Sequence, residues 1–225
     1  MITGYRRAIS DDAEVIVKID GDGQMDPGEL DRFIEPILSG RADYTKGNRF
    51  YNIEDLKSMP AMRLLGNAVL SFLTKLSSGY WRIFDPTNGY TAISAKVAGV
   101  LPLHRIRKRY FFESDMLFRL GTVRACVLDI PMKAIYGEEK SNLKIHRVMG
   151  EFFWNNMLNI LKRLFYNYFL RDFSVASLEL LFGLIFLVFG FVFGVVAWWS
   201  NVGSSIPTPT GTVMLSALPV ILGIQ

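Results

Sequence analysis

The sequence predicts an α/β domain, followed by amphipathic helices and then by membrane-spanning helices. Three observations predict it. Glu14-Val-Ile-Val-Lys-Ile19 is an apolar, β-branched run that ends in Asp20-Gly-Asp22-Gly-Gln24. That reads as a buried strand with two carboxylates at its end. Beyond it, helical and strand patterns alternate as far as Pro131. Leu180–Trp199 is an uncharged run of Leu, Phe, Val, Ile and Gly, long enough to span a bilayer as a helix.

Size and composition bound the reading. The 225 residues suffice for one α/β domain with something appended. Half of them are hydrophobic, and the excess lies in the last fifty or so residues. The +4 net charge is mild. It suits contact with anionic lipid or phosphate, and no aromatic–basic RNA motif occurs, so nucleic acid is not an expected partner. The lone Cys126 is read as a packed strand residue, and one cysteine makes no internal disulfide, in keeping with a cytoplasmic domain. His104 and His146 have no metal-ligand spacing.

The elements follow in order. Met1–Asp12 has no signal-peptide pattern and no predicted element, and the chain is expected to be a fragment missing parts at both ends. The strand over 14–19 delivers Asp20 and Asp22 to the carboxyl edge of a sheet, where open α/β folds bind ligands. Hard oxygen donors there suit Mg²⁺ or Mn²⁺, and those ions suit a diphosphate. Lys18–Glu29 also imitates a calcium loop. A lysine at its first ligand position, a strand-like entry and Pro27 argue against it. Gly28–Gly40 carries a helical pattern, and 42–50 reads as a short strand. Met59–Ser78 is a strong amphipathic helix closed by Ser78-Gly79. Loop then strand is expected over 85–94, helices over 94–101 and 111–120, a strand over 123–131, and an extended continuation over 132–136.

The C-terminal part reads as membrane-associated. Residues 144–171 mix Phe, Trp, Leu and Tyr with Lys and Arg, the pattern of amphipathic helices on a membrane surface, with packing on the soluble domain as the alternative. The span itself covers about 178–199, with Trp198 and Trp199 at its end. A second apolar run from 213 looks cut short. Lys162, Arg163 and Arg171 precede the span and no charge follows it, which places the N-terminal domain in the cytoplasm. The expected divisions are 1–143, 144–172 and 173–225.

At this point a resemblance enters. Asp20-Gly-Asp22-Gly-Gln24-Met-Asp-Pro27 resembles the DxDxQ-x-x-P motif of family 2 glycosyltransferases, and of their polyprenyl-phosphate sugar synthase branch in particular, the group of dolichol-phosphate mannose synthase. Lys46-Gly-Asn-Arg49 resembles the family's Gly-x-Arg strand. Met59-Pro60 through Arg63, Gly66 and Asn67 resembles the next helix. Asp85-Pro-Thr-Asn88-Gly89-Tyr90, Phe112-Glu113-Ser-Asp115 and Tyr136-Gly-Glu-Glu-Lys140-Ser141 resemble the later motifs in order. The family's opening strand and early nucleotide-contacting Asp are absent.

The resemblance implies a GT-A type nucleotide-sugar domain, partial here. It implies inverting transfer of a sugar from a GDP- or UDP-linked donor to a polyprenyl phosphate at the membrane, with Mg²⁺ or Mn²⁺. Asp20, Asp22 and Gln24 are the expected metal ligands. Arg49 and Arg63 would position phosphate, and Lys140 with Ser141 would close over it. Asp85 and Asp115 are expected near the sugar as catalytic carboxylates beside Asp22, and Glu113 to touch substrate or orient a neighbour. Two residues apart on a helix, Glu113 and Asp115 face different ways, so one of them is expected at the site. Arg105, Arg107, Lys108 and Arg109 read as a solvated loop, or as a lipid-headgroup contact. The Gln-x-x-Arg-Trp motif of processive polymerases is absent, which favours single transfer. Another lipid or polysaccharide acceptor, and a non-catalytic membrane-anchored module, stay open as alternatives. The Phe- and Gly-rich anchor is compatible with a homo-oligomer.

Overall fold

The structure, a computed structural model, describes residues 1–51, 61–133, 145–202 and 207–225, with the backbone alone for 61–64 and 145–148. The chain divides into two compact units, Met1–Arg163 and Leu164–Gln225.

The first unit is a mixed α/β domain. Helix α1 (Ile2–Ser10) precedes strand β1 (Val15–Lys18), a turn leads into α2 (Leu30–Leu38), and β2 (Tyr44–Asn48) follows. Then come α3 (Ala61–Ser78), β3 (Thr91–Ser94), the short α4 (Ala95–Val100), α5 (Phe112–Thr122), β4 (Val127–Pro131) and α6 (Ile145–Phe165). The four strands lie in the order β1-β3-β2-β4. β3 pairs antiparallel with both β1 and β2, and β2 pairs parallel with β4. Thus β1, β2 and β4 point the same way. Their carboxyl ends gather at one edge of the sheet, together with the start of β3. This edge positions the site.

Pleating explains the two cores, because alternate side chains face opposite sides. Ile16, Tyr44 and Ile93 face a layer formed by α1, α4 and α5, against Tyr5, Ala98, Phe112, Met116 and Leu120. Val15, Val17, Ala92 and Ile130 face α2 through Phe33 and Ile37. Phe33 stacks flat on Tyr90 with ring centroids 3.9 Å apart. Asp26 caps the turn into α2 by accepting the Gly28 N–H at 2.8 Å, with Pro27 at its first position, where no amide hydrogen is needed.

Three expectations need correction. β1 lies at the edge of this sheet, and of its residues Ile16 alone is buried, while Val15, Val17 and Lys18 are partly buried and Ile19 beyond it is exposed. Cys126 is exposed, just before the edge strand β4, because Val123–Cys126 form the turn into that strand rather than its start. The amphipathic pattern Ile2, Tyr5, Ile9 passed unread, and it is α1, packed on the core.

Helix α6 is one continuous helix. Its inner face holds Phe152, edge-on to Phe111, and the buried Asn155, Asn156 and Asn159. Ser77 donates to Asn156 at 2.7 Å, and Arg163 donates to the Leu76 carbonyl at 2.6 Å. The packing on the domain is therefore polar. Phe153, Trp154 and Leu161 are exposed on its outer side.

The second unit opens with a π-helical turn, Tyr166–Arg171. It continues as α7 (Val175–Asn201) and α8 (Thr210–Ile224). A capping box between Ser174 and Ser177 starts α7. Among the described residues, α7 alone is long and apolar enough to cross a membrane. The two helices run antiparallel through small residues. A Cβ on Gly190 would lie 2.7 Å from the Ser216 carbonyl oxygen, and one on Gly223 would lie 2.6 Å from that of Gly183. Only glycine admits backbones this close.

Candidate active site

Three segments converge at the carboxyl edge of the sheet: the acidic turn after β1, the end of β2, and the turn that enters β3. Asp20 and Asp22 are exposed there, and Asp22 accepts the Gln24 amide at 3.1 Å, which shapes the turn. Gly89 lies directly against Asp20. A Cβ at residue 89 would lie 1.8 Å from Asp20 Oδ2. The glycine of the Asn88-Gly89 pair is thus a spatial requirement of the acidic turn, although the two lie far apart in sequence.

Lys18 joins the acids together. It shares the inward face of β1 with Ile16 and keeps 10% of its side chain exposed. Its Nζ donates to Asp20 Oδ1 at 2.6 Å, to Glu113 Oε1 at 2.9 Å and to the Gly89 carbonyl at 3.2 Å. Burial opposes its charge, but the carboxylates of Glu113 and Asp20 outweigh burial and hold its pKa above the usual lysine value. Sequence reasoning missed Lys18 as a site residue. The signal was there, a cation interrupting an apolar run.

A second, deeper layer supports the β3 turn. Asp85 is fully buried and accepts Arg49 Nε at 2.8 Å, Arg49 Nη2 at 3.2 Å and Asn88 Nδ2 at 3.3 Å. Its carboxylate is spent on holding Arg49 and the turn, and it presents no open face to a sugar. Arg49, expected to position phosphate, keeps 21% of its side chain exposed beside this partner. Lys46 is fully buried and donates to the Asn88 carbonyl at 2.5 Å. Burial pulls its pKa down to about 8 against the opposing pull of Asp85, Glu113 and Asp129. Burial likewise pushes Asp129 up to about 6, although it accepts the Phe84 amide at 2.9 Å and Asn48 Nδ2 at 3.2 Å.

The structure separates Glu113 from Asp115. Glu113, in the first turn of α5, reaches Lys18 and through it Asp20. Asp115 turns elsewhere, with its oxygens on the Arg107 amide at 2.9 Å and Asn159 Nδ2 at 2.9 Å. It ties the basic loop and α6 to the domain, and the structure does not bring it to the acidic turn. Arg105, Arg107, Lys108 and Arg109 are exposed. The side chain of Arg63, and residues Lys140 and Ser141, lie outside the described part of the structure.

Among the described residues no group of three or more His, Cys, Asp or Glu side chains is arranged to hold a metal. The donor set at the acidic turn is two carboxylates and an amide oxygen. That set fits Mg²⁺ or Mn²⁺, which take one or two carboxylates and complete their shell with water and substrate phosphate.

No family model matches the chain. Over 137 residues it is 34% identical to UDP-N-acetylglucosamine–dolichyl-phosphate N-acetylglucosaminyltransferase of Methanococcus voltae, covering 61% of this chain and 54% of the relative. It is 26% identical over 151 residues to undecaprenyl-phosphate mannosyltransferase of Micrococcus luteus, covering 67% and 61% of the two chains. It is 28% identical over 130 residues to polyprenol monophosphomannose synthase of Mycolicibacterium smegmatis, covering 57% and 47%. The chain therefore spans about half the length of the curated relatives it matches. Glucosyl-3-phosphoglycerate synthase from Mycobacterium tuberculosis, solved with Mn²⁺, UDP-glucose and glycerol 3-phosphate, superposes with a TM-score of 0.44 at 17% identity, covering 71% of this chain and 52% of that one. Over the matched residues, the chain is similar to glycosyltransferases named for dolichyl-phosphate, undecaprenyl-phosphate and polyprenol monophosphate products or acceptors.

Proposed function

We propose that this chain carries part of a GT-A type glycosyltransferase. It moves a sugar from a GDP- or UDP-linked donor to a polyprenyl phosphate, with inversion, at the cytoplasmic face of a membrane. The observation that carries the reading is the packing of Asp20 on Gly89 at the sheet edge, in a chain similar to polyprenyl-phosphate glycosyltransferases.

Asp20, Asp22 and Gln24 would hold Mg²⁺ or Mn²⁺, and the bound ion would supply Lewis-acid stabilisation of the departing diphosphate. The chain's own residues do the rest. An oxygen of the acceptor phosphate forms the new bond to the anomeric carbon, while the bond to the donor diphosphate breaks on the opposite face and that group takes the electron pair. The acceptor oxygen is already anionic at neutral pH, so no strong base is required. Positive charge is required to bring two anions together, and Arg49 supplies it from a position fixed by Asp85. Arg63, Lys140 and Ser141 join this role by resemblance. Glu113 acts from behind the acidic turn through Lys18. Asp115 is assigned to holding the basic loop and α6, and the open face of α6 together with α7 would anchor the chain to the bilayer.

The test is transfer of labelled sugar from GDP- and UDP-sugars to a short polyprenyl phosphate, using the full-length gene product in membranes, with and without Mn²⁺ or Mg²⁺. Labelled lipid that depends on metal and disappears in Asp22→Asn is the expected result. Absence of lipid product with every donor, from a folded protein, overturns the reading.

A further inference from the structure

A lysine is out of place between an apolar strand and an acidic turn that is to hold a cation. Its geometry shows why it is there. An ammonium has three N–H donors. Those of Lys18 reach Asp20 Oδ1, Glu113 Oε1 and the Gly89 carbonyl, all within 3.2 Å. All three are engaged, so Lys18 has no donor left for a substrate phosphate. It is placed to act on the carboxylates. Asp20 Oδ1 and Glu113 Oε1, both within 3 Å of one nitrogen, lie within about 6 Å of each other. Without the lysine, Glu113 is a third acid at the edge of the cation site.

We propose that Lys18 is a positioning residue that sets the charge and ligand set of the cation site, by fixing one oxygen of Asp20 and withholding Glu113 from the metal. The proposal rests on the reading of Asp20 and Asp22 as ligands. Asp20, Asp22 and Glu113 together carry three negative charges, and Lys18 returns one positive charge. The balance of two matches a single divalent ion and leaves coordination positions to a diphosphate. Removing Lys18 leaves an excess charge and frees Glu113. The site then binds the bare ion more tightly and shifts towards Ca²⁺, which favours more oxygen ligands than Mg²⁺.

The experiment is Mn²⁺ binding by the full chain in detergent, read by the EPR signal of free Mn²⁺, with Ca²⁺ as competitor. Wild type, Lys18→Met, Lys18→Arg, Glu113→Gln and Asp22→Asn are compared, each checked for folding by near-UV circular dichroism. Lys18→Met is expected to tighten Mn²⁺ binding by about fivefold or more, from the loss of one nearby positive charge, and to make Ca²⁺ a better competitor. Lys18→Arg should stay within about twofold of wild type, since the charge is kept. Glu113→Gln should weaken Mn²⁺ binding, because Lys18 then acts on Asp20 alone. A purely structural lysine differs in Lys18→Met, where it predicts weaker binding, as in Glu113→Gln. That pattern, or an unchanged affinity in Lys18→Met, overturns the inference and leaves the site reading standing. If Lys18→Met does not fold, the double variant Lys18→Met with Glu113→Gln decides, because it removes both members of the ion pair and keeps the balance of two negative charges: Mn²⁺ binding within about twofold of wild type supports the inference, while a clear loss of binding overturns it. Wild type that binds no Mn²⁺, or binds it equally in Asp22→Asn, overturns the ligand reading and the inference with it.

Discussion

Replacing Asp85 by Asn should destabilise the domain sharply, although the change is isosteric. Asp85 is fully enclosed and accepts from Arg49 through Nε at 2.8 Å, Nη2 at 3.2 Å and the backbone N–H at 3.3 Å. An Asn there presents an NH₂ group to at least one of those donors and removes the negative charge that faces the guanidinium. Breaking a buried ion pair from one side costs roughly 3–5 kcal/mol. Arg49 retains 21% exposure, so water recovers part of its charge and the lower end applies, about 3 kcal/mol. For a domain of this size that corresponds to a fall of roughly 6–12 °C in Tm. Thermal unfolding in detergent, followed by near-UV circular dichroism, measures it. The double variant Arg49→Gln with Asp85→Asn should recover about 1–3 kcal/mol relative to the sum of the single changes. A Tm for Asp85→Asn within a degree of wild type, or strict additivity in the double variant, refutes the reasoning.

Gly89→Ala should push Asp20 aside and weaken Mn²⁺ binding by about 10- to 100-fold, as supporting residues of metal sites do, with little change in Tm. EPR titration reads the first and thermal unfolding the second. Lys46 titrates near 10.4 in an unfolded chain and at about 8 in the fold. Between those values the unfolded state holds the extra proton, so stability should be flat below about pH 8 and rise above it. Tm measured between pH 7.5 and 9.5 should show this rise in wild type and lack it in Lys46→Met. Gly190→Leu should drive α8 away from α7, since the Ser216 carbonyl leaves no space for a side chain. A longer distance between spin labels on the two helices, by pulsed EPR, is the expected result.

Much of the domain was legible because its signals are local. The helical period of α3, the stop at Gly79 with its positive φ of 88° and the run of α7 are each written within a few turns of sequence, although Leu65, Val69 and Phe72 of the face read as apolar are exposed and α3 buries Ser71, Thr74 and Ser77 instead. The acidic turn and the Asn88-Gly89 turn were legible as motifs. What the sequence could not convey is which motifs touch. Glu113 and Asp115 differ by two positions on one helix, and only the packing of α5 against β1 assigns the first to Lys18 and the second to Asn159. The burial of Asp85 beneath Arg49 was hidden for the same reason, because a carboxylate in a motif reads equally as a reactant or as a brace. The polar inner face of α6 was hidden because Asn155, Asn156 and Asn159 pattern as solvent-facing residues until Ser77 and Asp115 meet them.

The strand order has a consequence in time. Among the described residues β1 pairs in this sheet with β3 alone, and the Lys18–Gly89 bond spans 71 positions of sequence. On a ribosome adding about 5–20 residues per second, several seconds pass between synthesis of the acidic turn and arrival of the turn that frames it. Through that interval Asp20 and Lys18 lack the Gly89 neighbour that frames them in the fold. A nascent chain arrested before residue 90 should therefore carry the acidic motif and still fail to retain Mn²⁺, so that under the proposed metal reading cation capture would come late in the birth of this domain.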